Sequence, residues 1–141
     1  MDSGKSHNQI ELTIAETKLT GVLLIKPATV FEDFRGSYIE LYNEEIYKST
    51  GILVDFKQDD ISTSKKNVLR GIHGDSKTWK LVSCLFGRFY LVVVDCTKDS
   101  KQFRQWEAFE LSDVNREQVL IPPGFGNGHL VLSERAIFHY K

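Results

Sequence analysis

The sequence predicts an all-β fold, an antiparallel jelly-roll barrel with one short helix. Short apolar runs recur along the chain of 141 residues, and turns with glycine or proline separate them. The β-branched and aromatic residues concentrate in these runs, as they do in strands. A chain of this length, 41% hydrophobic and 26% charged, is typical of a single domain with its own core.

The elements begin after a polar N-terminal stretch. Residues 1–10 are expected to form a flexible arm, which leaves residues 11–141 as the one domain. The first strand is predicted over residues 19–26, before Pro27. In residues 37–42, tyrosine and glutamate alternate with isoleucine and leucine, which predicts a strand with two unlike faces.

One helix and eight more strands follow. Asn43 caps a helix that is predicted over residues 43–49 and ends before Gly51. The strands are expected at residues 54–58, 68–73, 80–85, 88–96, 106–111, 118–121, 128–133 and 136–140. Residues 121–129 contain two prolines and three glycines, which indicates a tight irregular loop.

Charge and composition exclude several classes of protein. With 18 basic and 19 acidic residues the net charge is -1, so no basic surface for nucleic acid is expected. No apolar run approaches the roughly 18 residues of a membrane span. The N-terminus lacks the apolar core of a signal peptide, so a cytoplasmic location is expected. Cys84 and Cys96 lie in apolar runs, and we expect both to be reduced core residues.

His73 is the first candidate for chemistry because it ends a strand of apolar residues. A histidine there lies at the mouth of a barrel, half desolvated, and can exchange a proton near neutral pH. Arg70 precedes it by three residues, so the two side chains face opposite sides of a regular strand, unless Gly71 introduces a bulge. Tyr140 ends the last strand and becomes a second candidate only if it faces His73 across a pocket.

Neither a metal site nor a nucleophile is expected. Gly74 and Asp75 follow His73, so there is no His-x-His pair, and His129 and His139 lie apart in the sequence. Neither cysteine has a neighbouring histidine, and no Gly-x-Ser-x-Gly motif occurs. The residues therefore predict neither a metal site nor a nucleophilic side chain.

Several segments taken together resemble the dTDP-4-dehydrorhamnose 3,5-epimerase family, in order and spacing, from about residue 18 to the end. They are residues 33–36, 65–73, 80–82, 87–95, 110–112, 121–125, 130–134 and 138–141. The resemblance implies a cupin-type jelly roll, usually a homodimer. It also implies an isomerase that acts on a nucleotide-linked 4-keto-6-deoxy sugar, in deoxysugar and polysaccharide biosynthesis, without cofactor or metal.

The resemblance also implies roles for the candidates. His73 matches the base that removes a proton next to the C4 ketone, and Tyr140 matches the acid on the opposite face of the sugar. Lys80 matches a lysine that places positive charge beside the O4 anion of the enolate. Arg70 matches a residue that orients the substrate and its phosphates.

Further positions match the family's substrate-binding residues. Arg35 and Glu40 match positions that contact the nucleotide, often across the dimer interface. Tyr38 can stack on the base there. Gln58 and Asp60 match a pair that lines the sugar pocket.

The sequence departs from the family's pattern at four places. Gly74 and Asp75 after the catalytic histidine resemble a branch that acts on GDP-linked 4-keto-heptoses. Asn127 stands where a histidine is frequent, and can still hydrogen-bond a substrate oxygen. Asp60 replaces a frequent asparagine. The sequence ends at Lys141, before an expected C-terminal extension whose carboxylate orients the histidine, so we expect Asp60, Asp75 or another carboxylate to substitute if the site is active.

Three functions remain open at this point. The first is epimerisation at C3, C5 or both, on a dTDP-linked or GDP-linked sugar. The second is 3,4-ketoisomerisation of a sugar nucleotide, although enzymes of that kind usually carry a His-x-His after the Arg-Gly pair. The third is binding of a sugar nucleotide without catalysis.

Overall fold

The computed structural model describes residues 11–27 and 29–141, in which it shows twelve strands and one helix. The elements are β1 (Thr13–Glu16), β2 (Leu23–Lys26), β3 (Thr29–Asp33), β4 (Gly36–Glu40), α1 (Glu44–Ser49), β5 (Asp60–Lys65), β6 (Leu69–His73), β7 (Lys80–Phe86), β8 (Arg88–Asp95), β9 (Trp106–Ser112), β10 (Gln118–Ile121), β11 (Phe125–Val131) and β12 (Arg135–Tyr140). The arm predicted over residues 1–10 lies outside the described residues.

Two antiparallel sheets form the barrel. One has six strands in the order β1-β2-β10-β7-β12-β5, and the other has four in the order β6-β11-β8-β9. The hairpin of β3 and β4 forms a separate two-stranded sheet. The predicted all-β jelly roll is therefore confirmed.

The core lies between the inner faces of the two sheets. Along β8, Phe89, Leu91 and Val93 are fully buried while Tyr90 between them is exposed, because alternate side chains of a strand face opposite sides. Phe89 packs against Phe138 of β12 with ring centroids 5.1 Å apart. Each such buried side chain stabilises the fold by about 1.5–3 kcal/mol.

The helix α1 covers the outer face of the six-stranded sheet. Asn43 caps it as predicted, since its side chain accepts a hydrogen bond from the backbone of Ile46. Gly51 follows the helix with φ +96°, a conformation that glycine adopts without strain. Tyr47 is buried against a cluster on this face that includes Leu81. In the described part of the chain, no helix is long and apolar enough to cross a membrane.

The sequence does not predict β1, β3 or β5. The first two are edge strands that pair with one neighbour each, and acidic residues interrupt their apolar pattern. In β5 the inward side chains include Ser62 and the buried Ser64, so no apolar alternation marks the strand. Tertiary contacts, rather than local hydrophobicity, hold these strands in place.

Two predicted strands differ most from the structure. Residues 19–22 form a turn, because the Thr17 hydroxyl accepts a hydrogen bond from the Leu19 amide and donates one to the Val22 carbonyl. Residues 54–58 make no ladder with another strand, although their apolar side chains pack on the outer cluster. The apolar pattern of residues 54–58 therefore predicted correctly that these side chains pack, but it predicted a strand pairing that the structure does not show.

The two cysteines are free thiols with different surroundings. Cys84 is buried in β7 as predicted, and burial raises the pKa of its thiol to about 12. Cys96 is exposed just after β8, so the prediction that it is a core residue was wrong. β8 ends at Asp95, one residue earlier than expected, and the Thr97 amide donates a 2.8 Å hydrogen bond to Oδ1 of Asp95 in the segment that follows.

Candidate active site

A bulge in β6 brings His73 and Arg70 to the same face of the sheet. His73 lies opposite Asn127 and Arg70 lies opposite His129, with a shift of register between the two pairs. Three residue steps on β6 therefore match two on β11, which is the bulge that the sequence left open at Gly71. Directly opposed residues share a face, and both Asn127 and His129 are buried in the barrel.

Glycine is required at position 71 for this geometry. Its φ is +115°, and a Cβ there would lie 2.5 Å from the Cα of Gly128 and 2.7 Å from the carbonyl oxygen of Asn127. Any side chain would push β6 away from β11. The motif Arg70-Gly71-Ile72-His73 thus positions two polar side chains through one backbone feature.

His73 is more exposed than the sequence predicted. It ends β6, which is an edge strand of the four-stranded sheet, and its side chain is exposed. The imidazole therefore stands at the open end of the barrel rather than half desolvated. Arg70 is also exposed, and its Nε donates a 2.8 Å hydrogen bond to Oγ of Ser64 in the opposite sheet.

Lys80 and Tyr140 reach this space from the six-stranded sheet. The Nζ of Lys80 donates a 2.9 Å hydrogen bond to Oδ1 of Asn127, and it lies 5.8 Å from the centre of the Tyr140 ring. Burial lowers the pKa of Lys80, and the negative charge of Asp75 opposes that shift. The structure thus brings four predicted residues, His73, Asn127, Lys80 and Tyr140, to one end of the barrel.

Tyr140 has an acidic neighbour. Asp60 is its cross-strand partner on β5, and Gln58 donates a 2.8 Å hydrogen bond to Oδ2 of Asp60. Burial and the carboxylate of Asp60 together raise the pKa of the Tyr140 phenol. The phenol is therefore protonated at neutral pH and able to donate a proton.

His129 lies opposite Arg70 beside this group, and the sequence analysis did not place it there. The predicted loop over residues 121–129 is shorter than expected, because β11 begins at Phe125, so Asn127 and His129 are alternate residues of one strand. The His129 ring stacks on Phe138 with centroids 4.2 Å apart. Burial and the nearby Arg70 lower its pKa to about 4, which keeps it neutral. The sequence signal for His129 was its position two residues after Asn127, because alternate residues of a strand share a face.

Neither carboxylate proposed to orient His73 has a hydrogen bond to it. Asp75 accepts hydrogen bonds from the backbone of Lys77 and Thr78 and from the Thr78 hydroxyl, which closes the turn after β6. Asp60 is engaged with Gln58. Over residues 11–27 and 29–141, three or more histidine, cysteine or acidic residues nowhere form a group able to hold a metal ion.

Three predicted nucleotide contacts lie on the hairpin, apart from this group. Arg35 and Tyr38 are exposed, and the Arg35 guanidinium forms an ion pair with Asp33 of the same hairpin. Glu40 ends β4. Within one chain, the structure does not bring these residues together with His73.

The comparisons with known proteins agree on one family. A family model described as dTDP-4-dehydrorhamnose 3,5-epimerase matches residues 16–141. The chain is 42% identical to the dTDP-4-dehydrorhamnose 3,5-epimerase of Salmonella typhimurium, over 92% of this chain and 73% of that protein. It is 39% identical to the corresponding protein of Methanothermobacter thermautotrophicus, over 93% and 71%.

Solved structures give the same result. The dTDP-6-deoxy-D-glucose-3,5-epimerase of Legionella pneumophila, in complex with dTDP-4-keto-L-rhamnose, matches with a TM-score of 0.87 and 39% identity, over 93% of this chain and 71% of that chain. The dTDP-4-dehydrorhamnose 3,5-epimerase of Bacillus anthracis, with TDP and pyrophosphate bound, matches with a TM-score of 0.84 and 35% identity, over 92% and 76%.

Proposed function

The chain belongs to the dTDP-4-dehydrorhamnose 3,5-epimerase family, and from this premise we propose that His73 and Tyr140 invert carbons of a nucleotide-linked 4-keto-6-deoxy sugar. Members of this family are isomerases of deoxysugar biosynthesis, and this protein is one of them. The observation that carries the proposed site is the bulge at Gly71. It turns His73 toward the face that Lys80 and Tyr140 reach from the opposite sheet.

The reaction is two proton transfers through an enolate. The C4 ketone acidifies the protons on C3 and C5, and the imidazole of His73 removes one of them as the base. The electron pair of the broken C–H bond moves onto O4. The O–H bond of Tyr140 then breaks, its proton bonds to the same carbon from the other face, and the stereocentre inverts. Exchange with solvent returns His73 and Tyr140 to their starting protonation states.

Lys80 supplies the charge that stabilises the enolate. Its ammonium is held by Asn127 at 2.9 Å, so the charge has a fixed position when the anion forms on O4. Asn127 uses its oxygen in this bond and keeps its amide N–H groups for a substrate oxygen. Arg70 is held by Ser64 and offers its remaining N–H groups to a phosphate or a sugar hydroxyl. Gln58 and Asp60 border Tyr140 and would contact the sugar.

The nucleotide would be bound by residues of a second copy of the chain. Arg35, Tyr38 and Glu40 do not reach His73 within one chain, and their hairpin carries the almost fully exposed Phe34. The pyrophosphate suits Arg35, and the base suits the exposed ring of Tyr38. The site is therefore completed across a homodimer.

The outer face of the four-stranded sheet is the surface we propose for that dimer. Four large apolar side chains on three of its strands are exposed. They are Leu69, Ile72, Tyr90 and Trp106, at 71%, 60%, 40% and 61% of full exposure. An apolar sheet face of this kind is typical of an interface between subunits. The second copy covers it by packing the same face against it.

The function is tested with 4-keto-6-deoxyhexoses linked to dTDP or to GDP, incubated in deuterated water. Deuterium at C3, C5 or both, with inversion of the labelled carbon by NMR, supports epimerisation and identifies the carbons. A product with its ketone at C3 would instead support 3,4-ketoisomerisation. Binding of dTDP or GDP without exchange would support a non-catalytic role. A single domain over residues 11–141 and a cytoplasmic location stay predictions from the sequence.

A further inference from the structure

Two side chains that flank Tyr140 bind one carboxylate. His139 and Lys141 precede and follow Tyr140, and both project from the outer face of the six-stranded sheet, away from the barrel interior. The Nε2 of His139 lies 2.9 Å from Oδ1 of Asp59. The Nζ of Lys141 lies 2.9 and 3.1 Å from the two oxygens of the same carboxylate.

Asp59 connects this outer group to the reacting face. It immediately precedes Asp60, which is the cross-strand partner of Tyr140. We call the side chains of Asp59, His139 and Lys141 the outer clamp. Their contacts connect the end of β12, which carries Tyr140, to the start of β5, which carries Asp60. Neighbouring residues of a strand face opposite sides, so the outer clamp acts from behind the sheet.

Lys141 of the outer clamp contacts strand β7 and an aromatic ring beside the helix. The backbone of Lys141 exchanges two hydrogen bonds with Leu81 of β7. Its ammonium lies 4.9 Å from the centre of the Tyr42 ring, which packs in turn on Tyr47 of the helix. Tyr140 is thus held within the sheet by the neighbouring strands β5 and β7, and on the outer face of the sheet by the ion pair between Lys141 and Asp59.

His139 is not explained by fold stability alone. Its side chain is only 9% exposed, and its Nδ1 is the one buried side-chain nitrogen or oxygen without a hydrogen-bond partner in the described residues. An apolar side chain would fill the same place without this unpaired group. The contact that histidine adds over such a residue is the bond to Asp59.

We infer that the outer clamp positions the Tyr140 hydroxyl, and so decides on which face of the sugar the enolate is protonated. Asp59, His139 and Lys141 are positioning residues that do not touch the substrate. The inference rests on the proposed function. Correct placement delivers the Tyr140 proton to the face opposite His73 and inverts the carbon. With Tyr140 displaced, the enolate takes its proton back from His73, which has exchanged with solvent, and the carbon keeps its configuration.

The test separates exchange from inversion. In deuterated water, the wild type, Asp59→Asn, His139→Leu and His139→Gln are compared at a temperature at which all are folded. We expect Asp59→Asn and His139→Leu to lower kcat for inversion by about ten- to a hundredfold. We expect solvent exchange and KM to change little, so the ratio of exchange to inversion rises. His139→Gln keeps a donor for Asp59 and should restore most of the inversion.

Matched controls make the result decisive. Thr63→Ala changes an exposed side chain of β5 and should leave the ratio unchanged. Tyr140→Phe defines the ratio expected when no proton reaches the far face. The inference is overturned if Asp59→Asn and His139→Leu keep the wild-type ratio, whether or not exchange and inversion fall by a common factor. A wild type that neither exchanges nor inverts would instead overturn the proposed function.

Discussion

The Nζ of Lys80 donates a 2.9 Å hydrogen bond to Oδ1 of Asn127. Lys80 begins β7 in the six-stranded sheet and Asn127 lies in β11 of the four-stranded sheet, so the bond joins the two sheets inside the barrel. Burial lowers the pKa of the lysine, and the amide oxygen is the acceptor that stabilises its cation there. The predicted oxyanion stabiliser is therefore held by a residue of the opposite sheet.

Asn127→Leu should destabilise the protein by about 1–3 kcal/mol, because it leaves the Lys80 ammonium without its acceptor. The free energy of unfolding in urea measures the loss. Lys80→Met on the same background removes the unpaired charge. The double variant should therefore regain part of the stability, and strictly additive effects of the two substitutions would contradict the coupling.

His73→Asn and Tyr140→Phe should have different effects on the two proton transfers. The first removes the base, so deuterium exchange and inversion should both fall by about 10²–10⁴. The second keeps the base, so exchange should continue while inversion is lost. Mass spectrometry and NMR of the same reaction mixture measure both. Equal loss of exchange in the two variants would show that the assigned roles are wrong.

Gly71→Ala should destabilise the fold and abolish activity, since a Cβ would meet the Gly128 backbone at 2.5 Å. Gly51→Ala is the matched control, because its φ of +96° is similar and no atom lies within 4 Å of its Cβ position. The control should lose about 1 kcal/mol from backbone strain and keep its kcat. A similar loss in both variants, by urea unfolding and kcat/KM, would argue against the bulge as the feature that positions His73.

Acid should destabilise the protein through His129. Its pKa is lowered from an ordinary value near 6.5 to about 4 in the folded state, so the unfolded chain binds more protons between these values. Stability is then full above about pH 6.5 and falls as the pH drops toward 4, by up to about 3 kcal/mol. His129→Phe removes this contribution. Unfolding at pH 7 and pH 4.5 should show a smaller difference for the variant than for the wild type.

A shared site predicts complementation between subunits. His73→Asn and Arg35→Ala should each be nearly inactive as homodimers. Random mixing of the two should restore about a quarter of wild-type activity, because each mixed dimer has one site with both native residues. No recovery would place Arg35 and His73 of one site in the same subunit.

Trp106→Glu should weaken the dimer, since it puts a charge on the exposed apolar sheet face. Analytical sedimentation measures the change in the dimer's dissociation.

Local pattern was enough for some elements of the fold. Residues 118–121 form β10 with the predicted bounds, and the helix follows the predicted cap at Asn43. The position of His73 at the end of β6 was also correct. Propensity, alternation and turn residues are properties of neighbouring residues, so they can be read from the sequence. Comparison with relatives confirmed the family that the motifs had indicated.

The sequence by itself determined the residue types of the site and the strands that carry most of them. Only the tertiary structure decided that Arg70 and His73 face the same way, because that depends on the register of β6 against β11. It also decided that Asn127 and His129 lie in a strand, and that Asp59 bonds to His139, 80 residues away. Strand register and contacts between distant residues arise from packing two sheets on one core, and no local periodicity specifies them.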